Sequence, residues 1–148
     1  MNDIILKPLN SEKDIYASLK LCADSLFNQS INNEESLIGL SKKYAKYGRC
    51  FVVVMDEDVT GFVAFYINDK ESLRAFLSII VVRNCYHGLG LGSLLFDVVL
   101  SSCKLSGMKE LWLEVDAGNA IAISFYKQRG FKKSECTSSD SILLSKRI

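Results

Sequence analysis

The stretch that decides the fold is Leu77 to Leu100, LSIIVVRNCYHGLGLGSLLFDVVL. The apolar run Ile79-Ile80-Val81-Val82 reads as a buried strand, and His87-Gly88-Leu89-Gly90-Leu91-Gly92-Ser93 reads as a glycine-rich turn. Leu91, Leu94, Leu95, Val98 and Val99 then recur at helical spacing. A strand, a glycine turn and a helix in that order make an anion cradle. Glycine permits positive φ and puts no Cβ between backbone and ligand. The first N–H groups of the helix lack intrahelical acceptors and, with the helix dipole, present partial positive charge. The expected ligand is a phosphate or pyrophosphate.

Spacing narrows the ligand. A dinucleotide fingerprint, G-x-G-x-x-G, needs a third glycine at 93 or 95, where the chain has Ser93 and Leu95. A Walker A loop needs a lysine, and none lies between Arg83 and Lys104. What remains is His87-x-x-Gly90-x-Gly92. A second block, LWLEVDAGNAIAISFYKQRGF over 111–131, starts as a strand by alternation and β-propensity. Asp116 to Asn119 breaks the strand and can cap a helix; Ala122, Ile123 and Tyr126 share a helical face, and Gly130 sits where a glycine ends a helix.

The first pattern resembles the Q/R-x-x-G-x-G/A signature of the GCN5-related N-acetyltransferases, the GNAT family. The second resembles that family's L-x-V-x-x-x-N-x-x-A-x-x-F/Y-Y-x-x-x-G-F motif, carried here by Leu113, Val115, Asn119, Ala122, Phe125, Tyr126, Gly130 and Phe131. Its LWLEV…N…Y portion is similar to the bacterial ribosomal-protein N-terminal acetyltransferases. The resemblance implies an α/β domain over 1–148 with a central mixed, mostly antiparallel twisted sheet flanked by helices. It implies acetyl-CoA as co-substrate, with no metal. The cofactor-binding residues it implies are Gly88, Leu89, Gly90, Leu91, Gly92 and Ser93 for the pyrophosphate, chiefly through backbone N–H groups. The strand end Ile80, Val81 and Val82 would lie beside the pantetheine arm, and Asn119 would cap its helix and bond to that arm. His87 stands where the family usually has arginine or glutamine, and Arg83-Asn84-Cys85-Tyr86 lacks the family's usual proline. Two readings stay open for His87: a phosphate contact, or a surface residue with no part in binding.

Two residues are candidates for the chemistry. Amine attack on a thioester expels a thiolate, and Tyr126, a phenol with an ordinary pKa of about 10, can protonate it; otherwise it is a packing aromatic. The amine arrives as ammonium and must lose a proton. Glu114, on the strand face opposite Leu113 and Val115, can take it directly or through a water, and burial beside Trp112 would make it a better base; otherwise it is a solvated carboxylate. The five cysteines carry no His or Asp patterning, so direct transfer in a ternary complex is expected over an acyl-enzyme. The expected acceptor is a primary amine. A small amine or amino sugar is favoured, because the segment Thr137 to Asp140 between the last two strands is short and lacks tyrosine. The alternatives are a protein N-terminus and a non-catalytic acyl-CoA sensor.

Composition bounds the rest. The 148 residues are 49% hydrophobic, enough for one core, and 18 basic and 17 acidic residues leave a net charge of +1. No basic stripe calls for nucleic acid, and no apolar run is long enough to span a membrane. The N-terminus lacks a signal-peptide layout, and the cysteines form no C-x-x-C pair, so a reduced cytoplasmic setting is expected. A monomer or homodimer is also expected. The element order reads βααβββαβαββ, hairpins first and helical crossovers later, which is not the βαβ repeat of a dinucleotide fold. A helix capped by Ser11 is expected to carry Ile15, Leu19, Cys22, Leu26 and Phe27, and a second to run from Asn32 to Tyr47.

Overall fold

A computed structural model describes residues 3–136 and 140–148. The strands are β1 (Ile4–Leu9), β2 (Arg49–Met55), β3 (Asp58–Tyr66), β4 (Arg74–Val82), β5 (Glu110–Asp116), β6 (Lys132–Cys136) and β7 (Ser141–Arg147). The helices are α1 (Glu12–Cys22), α2 (Glu34–Tyr47), α3 (Leu91–Leu105) and α4 (Ala120–Gln128). They follow the expected βααβββαβαββ order. The strands form one seven-stranded sheet in the order β1-β2-β3-β4-β5-β7-β6. Only β4 and β5 pair in parallel; every other pairing is antiparallel.

Two apolar layers sandwich the sheet. Leu91, Leu95, Phe96 and Val99 of α3 and Tyr126 of α4 pack on Val53, Val63, Leu77, Leu111, Leu113 and Leu144. Ile15 and Leu19 of α1 and Leu37 and Tyr44 of α2 cover Val52, Phe62, Ala64 and Val81 on the other side. Burial of each such side chain contributes about 1.5–3 kcal/mol.

Strand β4 is irregular at a decisive place. Ala64 pairs with Ile79 and Phe65 with Leu77, so Ser78 is an extra residue, a β-bulge. The bulge inverts the faces. Before it, Ala75 and Leu77 face the α3–α4 layer; after it, Ile80 and Val82 do, while Ile79 and Val81 face α1 and α2. The bulge also ends the β4–β5 ladder. Parallel pairing covers Arg74 to Leu77 against Glu110 to Leu113 and then stops. Beyond it β5 keeps its pairing with β7 as far as Asp116–Ser141, and β4 stays with β3 as far as Val82–Gly61. The strands part in a V.

The α1–α2 segment departs from the sequence expectation. Ser11 caps α1 by accepting from the Asp14 N–H at 3.1 Å, but the helix ends at Cys22 and a 3-10 turn, Ala23–Ser25, follows. Leu26 and Phe27 therefore leave the helix. The physical reason is Gln29, whose side-chain amide donates to the carbonyls of Ala23 (3.0 Å) and Leu26 (2.7 Å), groups a continuing helix would have bonded itself. Asn33 then caps α2 through the Ser36 N–H at 2.9 Å.

Candidate functional site

The V between β4 and β5 opens into a cleft of about 740 Å³. One wall is β4 from Ser78 to Val82, whose edge facing β5 has no strand partner. The opposite wall is Glu114, Val115 and Asp116 of β5 with Asn119, Ala122, Phe125 and Tyr126. Gly88, Gly90, Leu91 and Gly92 close one end, and Leu26, Phe27 and Ile31 of the α1–α2 segment close another.

The glycine end has the geometry of an anion cradle. Gly88 and Gly90 have φ of +84° and +78°, and Gly90 is the residue before α3. The first bond of that helix runs from the Leu94 N–H to the Gly90 carbonyl, so the N–H groups of Leu91, Gly92 and Ser93 have no intrahelical acceptor. No acidic residue sits in the first turn to meet the dipole. The segment leading to the turn has no proline, and side chains hold it instead. Arg83 donates to the Asp58 carboxylate and to the Val59 carbonyl, both at 2.9 Å, and the Tyr86 hydroxyl donates to the same carboxylate. The Tyr86 hydrogen bond, helped by the Arg83 charge, holds the Asp58 carboxyl below the usual range. His87 closes the turn on itself, with Nε2 2.7 Å from the Val82 carbonyl oxygen.

Of the residues expected at the cofactor, Ile80, Val81, Val82, Gly88, Gly90, Leu91, Gly92 and Asn119 line the cleft; Leu89 and Ser93 do not. Leu89 is exposed. The Ser93 hydroxyl oxygen accepts a hydrogen bond from the Arg129 guanidinium at 2.5 Å. Asn119 caps α4, its side-chain oxygen accepting from the Ala122 N–H at 3.2 Å.

Tyr126 and Glu114 reach the same cleft in unlike surroundings. The Tyr126 ring is buried, edge-on to Phe125 at 5.4 Å and Phe131 at 5.5 Å between ring centres. Burial pushes its phenol well above the ordinary value, with the Arg129 charge pulling the other way. It is a protonated donor at any physiological pH. Glu114 is exposed, which corrects the expectation that burial beside Trp112 would tune it: β5 is open to solvent on that face. Among the described residues no cysteine lines the cleft. Burial pushes the Cys22 and Cys103 thiols up to about 11 and Cys50 up to about 12, which leaves them poor nucleophiles. Among the described residues no group of three or more His, Cys, Asp or Glu is placed to hold a metal ion, and no helix is long and apolar enough to cross a membrane.

Sequence reading missed Ser78, Leu26, Phe27 and Ile31. Leu26 and Phe27 fit the period of α1, and nothing local distinguishes a bulge residue in an apolar strand. The serine inside the run was the only available sign.

The family model described as "Acetyltransferase (GNAT) family" matches residues 14–131. The chain belongs to the GNAT acetyltransferase family. It is 37% identical over 70 residues to ribosomal protein bS18-alanine N-acetyltransferase of Escherichia coli (strain K12), a match covering 47% of each protein. The chain thus spans about half the length of the curated relatives it matches first. It is 30% identical over 106 residues to N-alpha-acetyltransferase 30 of Schizosaccharomyces pombe, covering 62% of this chain and 69% of that one. The crystal structure of the PaiA N-acetyltransferase from Thermoplasma acidophilum, in complex with coenzyme A, superposes with a TM-score of 0.72 over 97% of this chain and 99% of that one. At 17% identity, that likeness shows the fold alone.

The cradle predicts a clear variant. A side chain at Gly90 meets nothing within 4 Å, so its cost is conformational: φ of +78° disfavours any β-branched residue. Gly90→Val is expected to fold, to lose about 1–2 kcal/mol of stability, and to weaken coenzyme A binding at least about tenfold, a loss of about 1.4 kcal/mol. Calorimetry against thermal melting checks this; wild-type affinity in a folded variant would contradict it.

Proposed function

We propose that the cleft binds acetyl-CoA and that the chain transfers its acetyl group directly to the primary amine of a peptide N-terminus. The observation that carries the reading is the parting of β4 and β5, with an anion cradle at one end and Tyr126 and Glu114 on the facing wall. The free edge of β4 can pair with the amides of the pantetheine arm as a short strand would, and the cradle can hold the pyrophosphate. The co-substrate supplies an activated acetyl group as a thioester.

The chain's own residues then manage two protons. Glu114 takes one from the acceptor ammonium, directly or through a water, which frees the nitrogen lone pair. The nitrogen bonds the carbonyl carbon and releases its surplus proton to solvent, and the carbon–sulfur bond breaks, its electron pair leaving on sulfur. Tyr126 donates its phenolic proton to that sulfur and recovers one from solvent.

Two features favour a peptide over a small polycation or amino sugar. The acceptor end is walled by Leu26, Phe27, Ile31 and Ile79, and among the described residues the only carboxylates on the lining are Glu114 and Asp116. A multiply charged amine needs more acidic partners than that. The relatives named above act on a ribosomal-protein alanine and on N-alpha positions, as their names state. The small-amine expectation rested on the segment Thr137 to Asp140, of which residues 137–139 lie outside the described residues.

Acceptor profiling with acetyl-CoA tests the reading. Peptides with a free α-amine and a small or apolar first residue are expected to exceed spermidine and glucosamine in kcat/KM by at least about tenfold; the reverse order would make the acceptor a small amine. Tyr126→Phe should lower kcat by roughly ten- to a thousand-fold with little change in the KM for acetyl-CoA, because the lost donor acts when charge appears on sulfur. Wild-type turnover would leave Tyr126 a packing residue. Glu114→Gln should depress the rate most at low pH, where free amine is scarce, and recover partly as pH rises. A pH–rate profile of wild-type shape, measured with subsaturating amine, would make Glu114 a bystander.

A further inference from the structure

Arg129, just beyond α4, is half-buried, yet among the described residues no carboxylate pairs with it. Its hydrogen bonds go to neutral acceptors: the Phe125 carbonyl at 3.1 Å and the Ser93 hydroxyl oxygen at 2.5 Å. The guanidinium carbon stands 3.5 Å from the centre of the Phe125 ring, and that ring borders the cradle, its Cε2 4.0 Å from where a Cβ on Gly92 would stand. The backbone beneath is tied down as well, since the Lys146 ammonium donates to the Arg129 carbonyl at 2.5 Å. A cation is thus fixed at the N-terminal end of α3, where the dipole is already positive and no acidic side chain lies in the first turn. Like charges placed together on a packed scaffold raise the energy of the protein alone. An anion between them reverses the sign.

We propose that Arg129 is a positioning residue for the pyrophosphate of coenzyme A, acting through Ser93 and through its charge rather than by lining the cleft. The inference rests on the coenzyme A reading above. By donating to the Ser93 oxygen, Arg129 occupies a lone pair and leaves the hydroxyl hydrogen to donate elsewhere, at the helix end where N–H groups already point. His87, the basic side chain of the glycine turn itself, is held at the Val82 carbonyl. Arg129 therefore supplies the permanent positive charge of the cradle. The stacking on Phe125 gives that charge a fixed position, which a lysine with its flexible stem would not have.

The test separates phosphate recognition from mere packing. Calorimetry would compare the wild type, Arg129→Met and Arg129→Lys with coenzyme A and with 3′-dephospho-coenzyme A, which keeps the pyrophosphate. Acetyl-pantetheine, which has no phosphate, would serve as the acetyl donor in a parallel rate assay. Arg129→Met should weaken both coenzymes by about ten- to a hundred-fold, by less as salt is raised, and leave kcat/KM for acetyl-pantetheine unchanged. Arg129→Lys should recover part of the loss. An equal loss with acetyl-pantetheine would make Arg129 structural. A loss confined to coenzyme A, spared in the dephospho form, would assign it to the 3′-phosphate. Unchanged affinity in Arg129→Met would overturn the inference alone, and a wild type that binds no coenzyme A would overturn it together with the reading it rests on.

Discussion

The site depends on a ladder that stops. β4 and β5 hydrogen-bond over four residue pairs, Arg74–Glu110 to Leu77–Leu113, and the next residue of β4, Ser78, is a bulge. A bulge bends its strand and raises the local twist. After it β4 follows β3 while β5 follows β7, and a wedge opens inside a sheet that is continuous on both sides. A strand edge in the middle of a sheet is normally satisfied by its neighbour. Here the neighbour has moved away and the edge faces a cleft. The Tyr44 hydroxyl, 2.7 Å from the Ser78 hydroxyl, fixes the bulge from the α2 side.

Much else serves that wedge. The crossover α3 begins where β4 ends, so its free N–H groups lie at the mouth of the V. The crossover α4 begins where β5 ends, so Tyr126 lies on the opposite wall. The contrast between Tyr126 and Glu114 follows from the layers. Tyr126 is on the face of α4 that packs with Phe96 and Phe131, and burial keeps its proton on. Glu114 points from the side of β5 that α3 and α4 do not cover, and water reaches it. A phenol that is dry and a carboxylate that is wet would suit the two opposite proton transfers proposed for them.

The order of elements and the two motifs were legible because they are local. A glycine turn between an aliphatic strand and an apolar-periodic helix needs no tertiary information, and neither does Asn119 as a cap ahead of Tyr126. What could not be read depends on partners far along the chain. Leu26 and Phe27 match the α1 period, and only the reach of Gln29 back to their carbonyl neighbours takes them out of the helix. Apolar residues on both sides of Ser78 leave no alternation to betray a change of face, and the serine alone does not mark a bulge. Glu114 was expected to be buried because Trp112 shares its face, but strand alternation tells which residues share a side and not whether that side is covered. Arg129 meets Ser93 across 36 positions of sequence, and no spacing rule connects them.

If coenzyme A lies in the wedge between β4 and β5, amide hydrogen exchange with and without the coenzyme shows it most directly. Saturating coenzyme A should slow exchange within 78–82 on β4 and at Leu91, Gly92 and Ser93, and leave β1 and the β2–β3 hairpin unchanged. Protection that falls elsewhere, or none within those two segments, would contradict the account.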